Sequence, residues 1–184
     1  MKRYALLKTL VPVLRESLVI CNIGIPSQEL YAIEDRPNHF YMLGSMGLCT
    51  SIALGLSLTT NKPVVALEGD GSMLMNLGTL ATIGNRAPGN FSAVIIDNGS
   101  YGSTGDQPSY TADKTSLAGI ALAAGCAEVV ECTGKDTARH LSNALHSSDP
   151  TVIVAKVESG NETVPIVPLH PVVMRERFRA AAAT

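Results

Sequence analysis

Six short apolar runs, at 18–22, 39–43, 63–68, 91–97, 127–131 and 151–157, punctuate the chain at intervals that leave room for a helix between each pair. Most of them, among them LVICN, PVVALE, FSAVIID and TVIVAKV, are continuous rather than alternating. A strand that is apolar on both faces needs cover on both, and parallel strands between two layers of helices receive it. The intervening stretches, about 3–16, 27–34, 46–58, 72–85, 115–125 and 134–147, are of helix length. The pattern therefore predicts an α/β fold: a doubly wound, mostly parallel sheet with helices on both faces and ligands at the carboxyl ends of its strands. No repeat or low-complexity linker divides residues 1–184, which read as a single domain. In its Pro-rich C-terminal tail, 159–184, Pro165, Pro168 and Pro171 enforce an extended path before a short last helix. Such a tail must lean on its own domain or on a neighbouring subunit.

Charge and composition exclude several classes of function. A net charge of −2 and the absence of a Lys/Arg-rich run leave no footprint for nucleic acid, whose phosphates would have to be neutralised. The longest mostly apolar window, 117–130, is interrupted and too short to cross a bilayer, and the charges scattered through residues 1–17 do not suit a signal peptide. A cytoplasmic protein with no membrane partner is expected. Cys21, Cys49, Cys126 and Cys132 lack the paired spacing of a zinc site and read as free thiols. His39, His140, His146 and His170 form no evident constellation.

The chemistry concentrates where two buried runs stop. VVAL at 64–67 drives into Glu68-Gly69-Asp70-Gly71-Ser72, and FSAVIID at 91–97 into Asn98-Gly99-Ser100-Tyr101-Gly102. Gly69 and Gly71 let the backbone turn and approach a ligand closely, and Ser72 opens a helix whose free N–H groups favour an anion. Asp70 is itself an anion, so a carboxylate beside a phosphate requires a cation between them. A hard divalent ion such as Mg²⁺ resolves the conflict, because it takes oxygens from carboxylate, amide, main-chain carbonyl and diphosphate alike. Alone, GDG is an ordinary turn; two strand ends each carrying an oxygen donor and a glycine are more specific. No Walker-type loop is present, and Gly69-x-Gly71 lacks the third glycine of a dinucleotide fingerprint.

GDGS at 69–72, with Asn98 in DNGSYG standing 26 positions beyond Ser72, resembles the motif of the thiamine-diphosphate-dependent decarboxylase superfamily, in its diphosphate-binding domain. The usual pair of asparagines is replaced here by Asp97-Asn98 before Gly99. The resemblance implies thiamine diphosphate and Mg²⁺ as cofactors, with the metal on the Asp70 carboxylate, the Asn98 side chain and the Ser100 carbonyl. YMLGSMGLCTSIALGLSL at 41–58 is similar to the family as well. By that likeness Met46 forces the cofactor into its bent form and the Gly44 carbonyl accepts from the aminopyrimidine, the two residues counted as catalytic. Cofactor contacts are implied at Gly24, Ser27, Gly44, Ser45, Met46, Gly69, Gly71, Ser72, Asn98, Ser100 and Tyr101. For Ser27 and Met46, a bland turn and a core filler are the alternatives.

The stretches ICNIGIPSQELY, DRPNHFYMLGSMGL, GDGSMLMNLGTLATIG and DNGSYGSTGDQ resemble the beta-type subunits of sulfopyruvate decarboxylases, while the GSMG, LATIG and YGSTGDQ segments are also similar to phosphonopyruvate decarboxylases. The implied substrate is a small anionic 2-oxoacid, with 3-sulfopyruvate favoured by ICNIGIPS. Another 2-oxoacid decarboxylase subunit, or a non-catalytic regulatory subunit that binds diphosphate, are the competing readings. Such enzymes need a second, pyrimidine-binding domain that supplies an activating glutamate, and the chain has room for only one. An alpha-type partner subunit and a hetero-oligomer are therefore expected. Glu68 is read as a strand-end residue facing a partner or solvent, the segment 101–111 as a polar lid or an exposed loop, and the substrate's anionic group is left to Lys62, Arg86, Lys114 or the partner.

Overall fold

The computed structural model describes residues 1–183. Its first half runs α1 (Arg3–Leu10), β1 (Leu18–Cys21), α2 (Ile25–Ile33), β2 (His39–Tyr41), α3 (Cys49–Ser57), β3 (Val64–Gly69), α4 (Asp70–Leu74) and α5 (Gly78–Arg86). The second runs β4 (Phe91–Asp97), a small hairpin of β5 (Ser100–Tyr101) and β6 (Gln107–Pro108), α6 (Leu117–Ala123), β7 (Glu128–Thr133), α7 (Thr137–Ala144), β8 (Thr151–Lys156) and α8 (Pro171–Ala183).

The six longer strands form one parallel sheet in the order β2-β1-β3-β4-β8-β7, flanked by helices on both faces. The continuous apolar runs have the predicted cause. On one face Ala93 and Ile95 of β4 pack with Ala53 and Leu54 of α3 and with Leu80 and Ile83 of α5; on the other, Val94 and Ile96 pack with Leu6, Leu7 and Leu10 of α1 and Leu141 of α7. Every residue of β4 is buried, so alternation would have exposed polar side chains to a core. The pairing of β3 with β4 from Val64↔Phe91 to Gly69↔Ile96 sets Asp70 beside the end of β4.

Local structure departs from the sequence pattern in three places. The stretch 3–16 is helical only to Leu10 and continues in turns. The expected helix 46–58 starts at Cys49, because Ser45 (φ 61°) and Gly47 (φ 91°) hold the preceding residues in a loop. The expected helix 72–85 is broken between α4 and α5, where the Asn76 amide reaches sideways to the Gly47 carbonyl at 3.0 Å and the Ser51 hydroxyl at 3.1 Å.

The tail leans on its own sheet. After an extended passage, α8 lies along the edge strand β2: the Tyr41 N–H donates to Met174 Sδ at 3.3 Å, and the Phe178 ring meets Phe40 edge-on at 5.5 Å. Arg177 grips Asp35 through both terminal nitrogens, at 2.7 and 2.5 Å. A bare parallel edge would expose unpaired backbone groups, and this helix covers it. Among the described residues, no helix is long and apolar enough to cross a membrane.

Candidate functional site

From β1 the chain moves outward to β2, whereas from β3 it moves the opposite way to β4. The connections thus diverge between β1 and β3, and a crevice opens at their carboxyl ends. Three neighbouring strands finish there on polar residues: Asn22 after β1, Asp70 after β3 and Asn98 after β4. Ser72 joins two of these edges, since its hydroxyl donates to Asn22 Oδ1 at 3.2 Å and accepts from the Gly47 N–H at 2.8 Å. The loop that carries Met46 is thereby tied to the end of β1.

Asp70 is 2% exposed, and each of its oxygens has a distinct environment. Oδ2 accepts from the Ser109 hydroxyl, and the Thr111 hydroxyl lies 3.0 Å from it and 2.7 Å from Asp97 Oδ1. Lys156 donates to the other oxygen of Asp97 at 2.5 Å. Oδ1 of Asp70 faces Asn98 and Ser100. With the Asn98 amide oxygen turned inward, that atom lies 3.0 Å from Asp70 Oδ1 and 3.0 Å from the Ser100 carbonyl, with the Ser100 N–H donating to it at 3.3 Å. Turned end for end, the amide nitrogen donates to both oxygens and the amide oxygen accepts from the Ser100 hydroxyl at 3.1 Å. The Asp70 carboxylate and the Ser100 carbonyl thus converge on the Asn98 amide, whose nitrogen satisfies both in the bare chain and whose oxygen would join them around a cation. The donor set fits a hard divalent ion. Burial pushes the Asp70 carboxyl above its usual range, the Ser109 hydrogen bond opposes that shift, and the Asp97 charge adds to it.

These oxygens border a cavity of about 200 Å³, whose walls include Gly24, Met46, Gly69, Asp70, Gly71, Ser72, Asn98, Ser100 and Tyr101. Two glycines are there for space: a methyl group on Gly71 would drive into the Tyr101 ring, and Gly24 (φ 76°) stands where a Cβ would come 3.3 Å from Ser103 Oγ. Tyr101, Gly102, Ser103 and Thr104 line the cavity, so the start of the segment 101–111 is a wall, folded back by the hairpin of β5 and β6. Gly44 and Ser45 lie outside this lining, exposed on the loop before Met46. Ser27 is also outside it; its hydroxyl is used on the main chain, donating to Asn22 O at 2.7 Å.

Two expectations are corrected. Glu68 does not face a partner or solvent: it is 1% exposed, with Oε2 accepting from the Thr50 N–H and hydroxyl, each at 3.1 Å, and Oε1 from the Gly69 N–H at 3.2 Å. Burial raises its carboxyl above the usual range. Lys62 and Arg86 precede β3 and β4 and so stand at the amino ends of those strands, at the wrong end of the sheet for this cavity. Lys114 does not line it either. The cation that does is Arg3, which the sequence reading did not single out; Asn22, Ser109 and Thr111 were also missed. A polar residue closing an apolar run, the signal that marked Asp70 and Asn98, marks Asn22 equally. Arg3 carries no such signal, because its partners Glu29 and Asn161 are 26 and 158 residues away.

Comparison with known proteins agrees with this geometry. Residues 22–155 match the family model of the thiamine pyrophosphate enzyme, C-terminal TPP binding domain. The chain is 44% identical over 179 residues to the sulfopyruvate decarboxylase subunit beta of Methanococcus maripaludis, covering 97% of this chain and 96% of that one. It is 38% identical over 182 residues to the phosphonopyruvate decarboxylase of Streptomyces viridochromogenes, but spans only 46% of that protein. Among solved structures, the thiamine diphosphate-dependent 4-hydroxybenzoylformate decarboxylase of Rhodococcus jostii shares the fold, with a TM-score of 0.72 at 18% identity over 88% of this chain and 33% of that one.

Proposed function

The chain belongs to the thiamine pyrophosphate enzymes, through their C-terminal TPP binding domain, and from that premise we propose that it is the diphosphate-binding subunit of a two-subunit decarboxylase that converts 3-sulfopyruvate to sulfoacetaldehyde and carbon dioxide. The observation that carries the reading is the match, end to end, with a sulfopyruvate decarboxylase beta subunit, against a match to less than half of a phosphonopyruvate decarboxylase. The oxygen cluster at the switch point supports it from the side of the chemistry.

In this reading the Asp70 carboxylate, the Asn98 side-chain oxygen and the Ser100 carbonyl hold Mg²⁺. Gly24, Gly69, Gly71 and Ser72 give the diphosphate a close approach to the backbone, and Tyr101 closes the wall above Gly71. Met46 would contact the bound cofactor from the cavity wall, and the exposed Gly44 and Ser45 would present the loop on which it rests, with the Gly44 carbonyl free to accept from the cofactor's amino group. Ser27 acts one step back by fixing the main chain after β1. When bound, thiamine diphosphate supplies the electron sink that takes up the electron pair released with carbon dioxide. Glu68 cannot serve as the activating carboxylate, since its oxygens are taken by Thr50 and Gly69 inside the domain. That group belongs to an alpha-type, pyrimidine-binding partner, and the active site lies in the cleft between unlike subunits.

The test is reconstitution. With the partner subunit, thiamine diphosphate and Mg²⁺, the complex is expected to release carbon dioxide from 3-sulfopyruvate at a higher kcat/KM than from phosphonopyruvate, and this chain alone to show negligible turnover. A preference for the phosphonate would move the enzyme to the other branch. Cofactor binding without turnover of either substrate would favour a regulatory subunit.

A further inference from the structure

Arg3 is the one Lys or Arg among the described residues that line the cavity. It is 7% exposed, and two of its nitrogens are committed to protein: Nε donates to Glu29 Oε2 at 2.7 Å, while Nη2 donates to Glu29 Oε1 at 3.2 Å and to Asn161 Oδ1 at 2.8 Å. Nη1 takes part in none of these bonds. Nη1 is not sealed from solvent, so a donor of this side chain stays available to a ligand in the cavity that Arg3 lines. Glu29 is fully buried and also accepts from the Glu162 N–H at 2.9 Å, so the edge of the guanidinium that meets it is held by a group that cannot swing away. A buried ion pair of this kind contributes little net stability for its desolvation cost, and its better attested use is to impose a geometry.

The position of Arg3 selects what Nη1 meets. Met46 precedes α3, on one face of the sheet, while Arg3 opens α1, on the other. The cavity crosses the carboxyl edge between them. Going from Met46 one passes Ser72 and Asn22, the Asp70, Asn98 and Ser100 oxygens, then Gly24 opposite Ser103, and finally Gly102, whose carbonyl accepts from Asn161 Nδ2 at 2.8 Å beside Arg3. A ligand with its rings at Met46 and its anion tethered through a cation at Asp70 therefore ends at Arg3. We propose that Arg3 binds the terminal phosphoryl group of thiamine diphosphate through Nη1, with Glu29 and Asn161 as positioning residues that hold the guanidinium in place. This rests on the thiamine diphosphate reading given above.

Calorimetric titration of the reconstituted complex with thiamine diphosphate and with thiamine monophosphate, each with Mg²⁺, tests it. Failure of the unmodified complex to bind the diphosphate would overturn the thiamine reading and this assignment together. With that binding in hand, Arg3→Gln is expected to weaken the diphosphate by about 10- to 100-fold, as for a lost charge-assisted hydrogen bond, and the monophosphate by less than about twofold. Equal weakening of both, or none, overturns the assignment, as does a higher KM for the 2-oxoacid with cofactor affinity unchanged. Should Arg3→Gln fail to assemble, Arg3→Lys decides: it keeps the charge but cannot span Glu29 and a phosphoryl group together. A smaller loss confined to the diphosphate supports the proposal, and a loss shared by the monophosphate sinks it.

Discussion

A carboxylate buried as deeply as Asp70, facing the Ser100 carbonyl across the Asn98 amide, is comfortable only while an N–H, a proton or a cation sits among these groups. Asp70→Asn removes the charge and keeps the shape. The expected result is a loss of about 100-fold or more in Mg²⁺-dependent cofactor affinity, the scale of truncating one member of a buried charge contact, with the fold retained; calorimetry with and without Mg²⁺ reads both. Gly71→Ala attacks the same site sterically. Its methyl group would have to displace the Tyr101 ring, so a destabilisation of about 1–3 kcal/mol, measured by urea unfolding, should accompany weaker cofactor binding. The two motifs that carry these residues were legible in the sequence because each is a local event, a buried run ending on an oxygen donor and a glycine. The orientation of Ser27 was not legible for the opposite reason: which way a hydroxyl points depends on the carbonyls it finds, here those of Cys21 and Asn22.

The strands declared themselves through their continuous apolar runs, and the helices between them through length alone, which is why breaks at Asn76 and Gly47 escaped notice. The edge element β2 is the informative case. His39, the first residue of β2, is fully buried with Nε2 unpartnered, and its Nδ1 lies 3.4 Å from the Tyr41 hydroxyl, which donates to Asp35 at 3.0 Å. Burial depresses its pKa to about 4, helped by the charges of Arg36 and Arg177 and opposed by Asp35 and Glu34. The unfolded chain takes up this proton near the ordinary histidine value and the folded one only at lower pH. Stability is therefore fully present above the unfolded pKa and is lost as pH falls through the folded one. That loss amounts to at most about 3 kcal/mol between pH 6.5 and 4. His39→Phe is expected to flatten this acid limb in denaturant melts at a series of pH values, whereas an unchanged limb would assign it to the carboxylates.

On and around the loop that carries Met46 the chain exposes large apolar side chains: Leu43, Leu48, Ile52 and Met75 are 63%, 42%, 41% and 61% exposed. Between Arg36 and Lys62 the chain has no Lys, Arg, Asp or Glu at all. In the proposed two-subunit enzyme, an uncharged rim of large side chains is the surface the partner would cover. Ile52→Lys should therefore abolish assembly with the alpha-type subunit in size-exclusion chromatography while leaving the melting of this chain within about 0.5 kcal/mol, as for an exposed position. By itself the sequence determined the layered α/β architecture, the strand ends that border the cavity and the oxygen-bearing residues at two of them, because burial on both faces, turn chemistry and oxygen-donor chemistry are written within a few consecutive residues. The tertiary structure alone decided that Arg3, Glu29 and Asn161 meet at the far end of the cavity, that Glu68 turns inward to Thr50, and that α8 seals the edge of the sheet. Those outcomes depend on contacts between residues far apart in the chain, and such contacts leave no pattern in a linear reading.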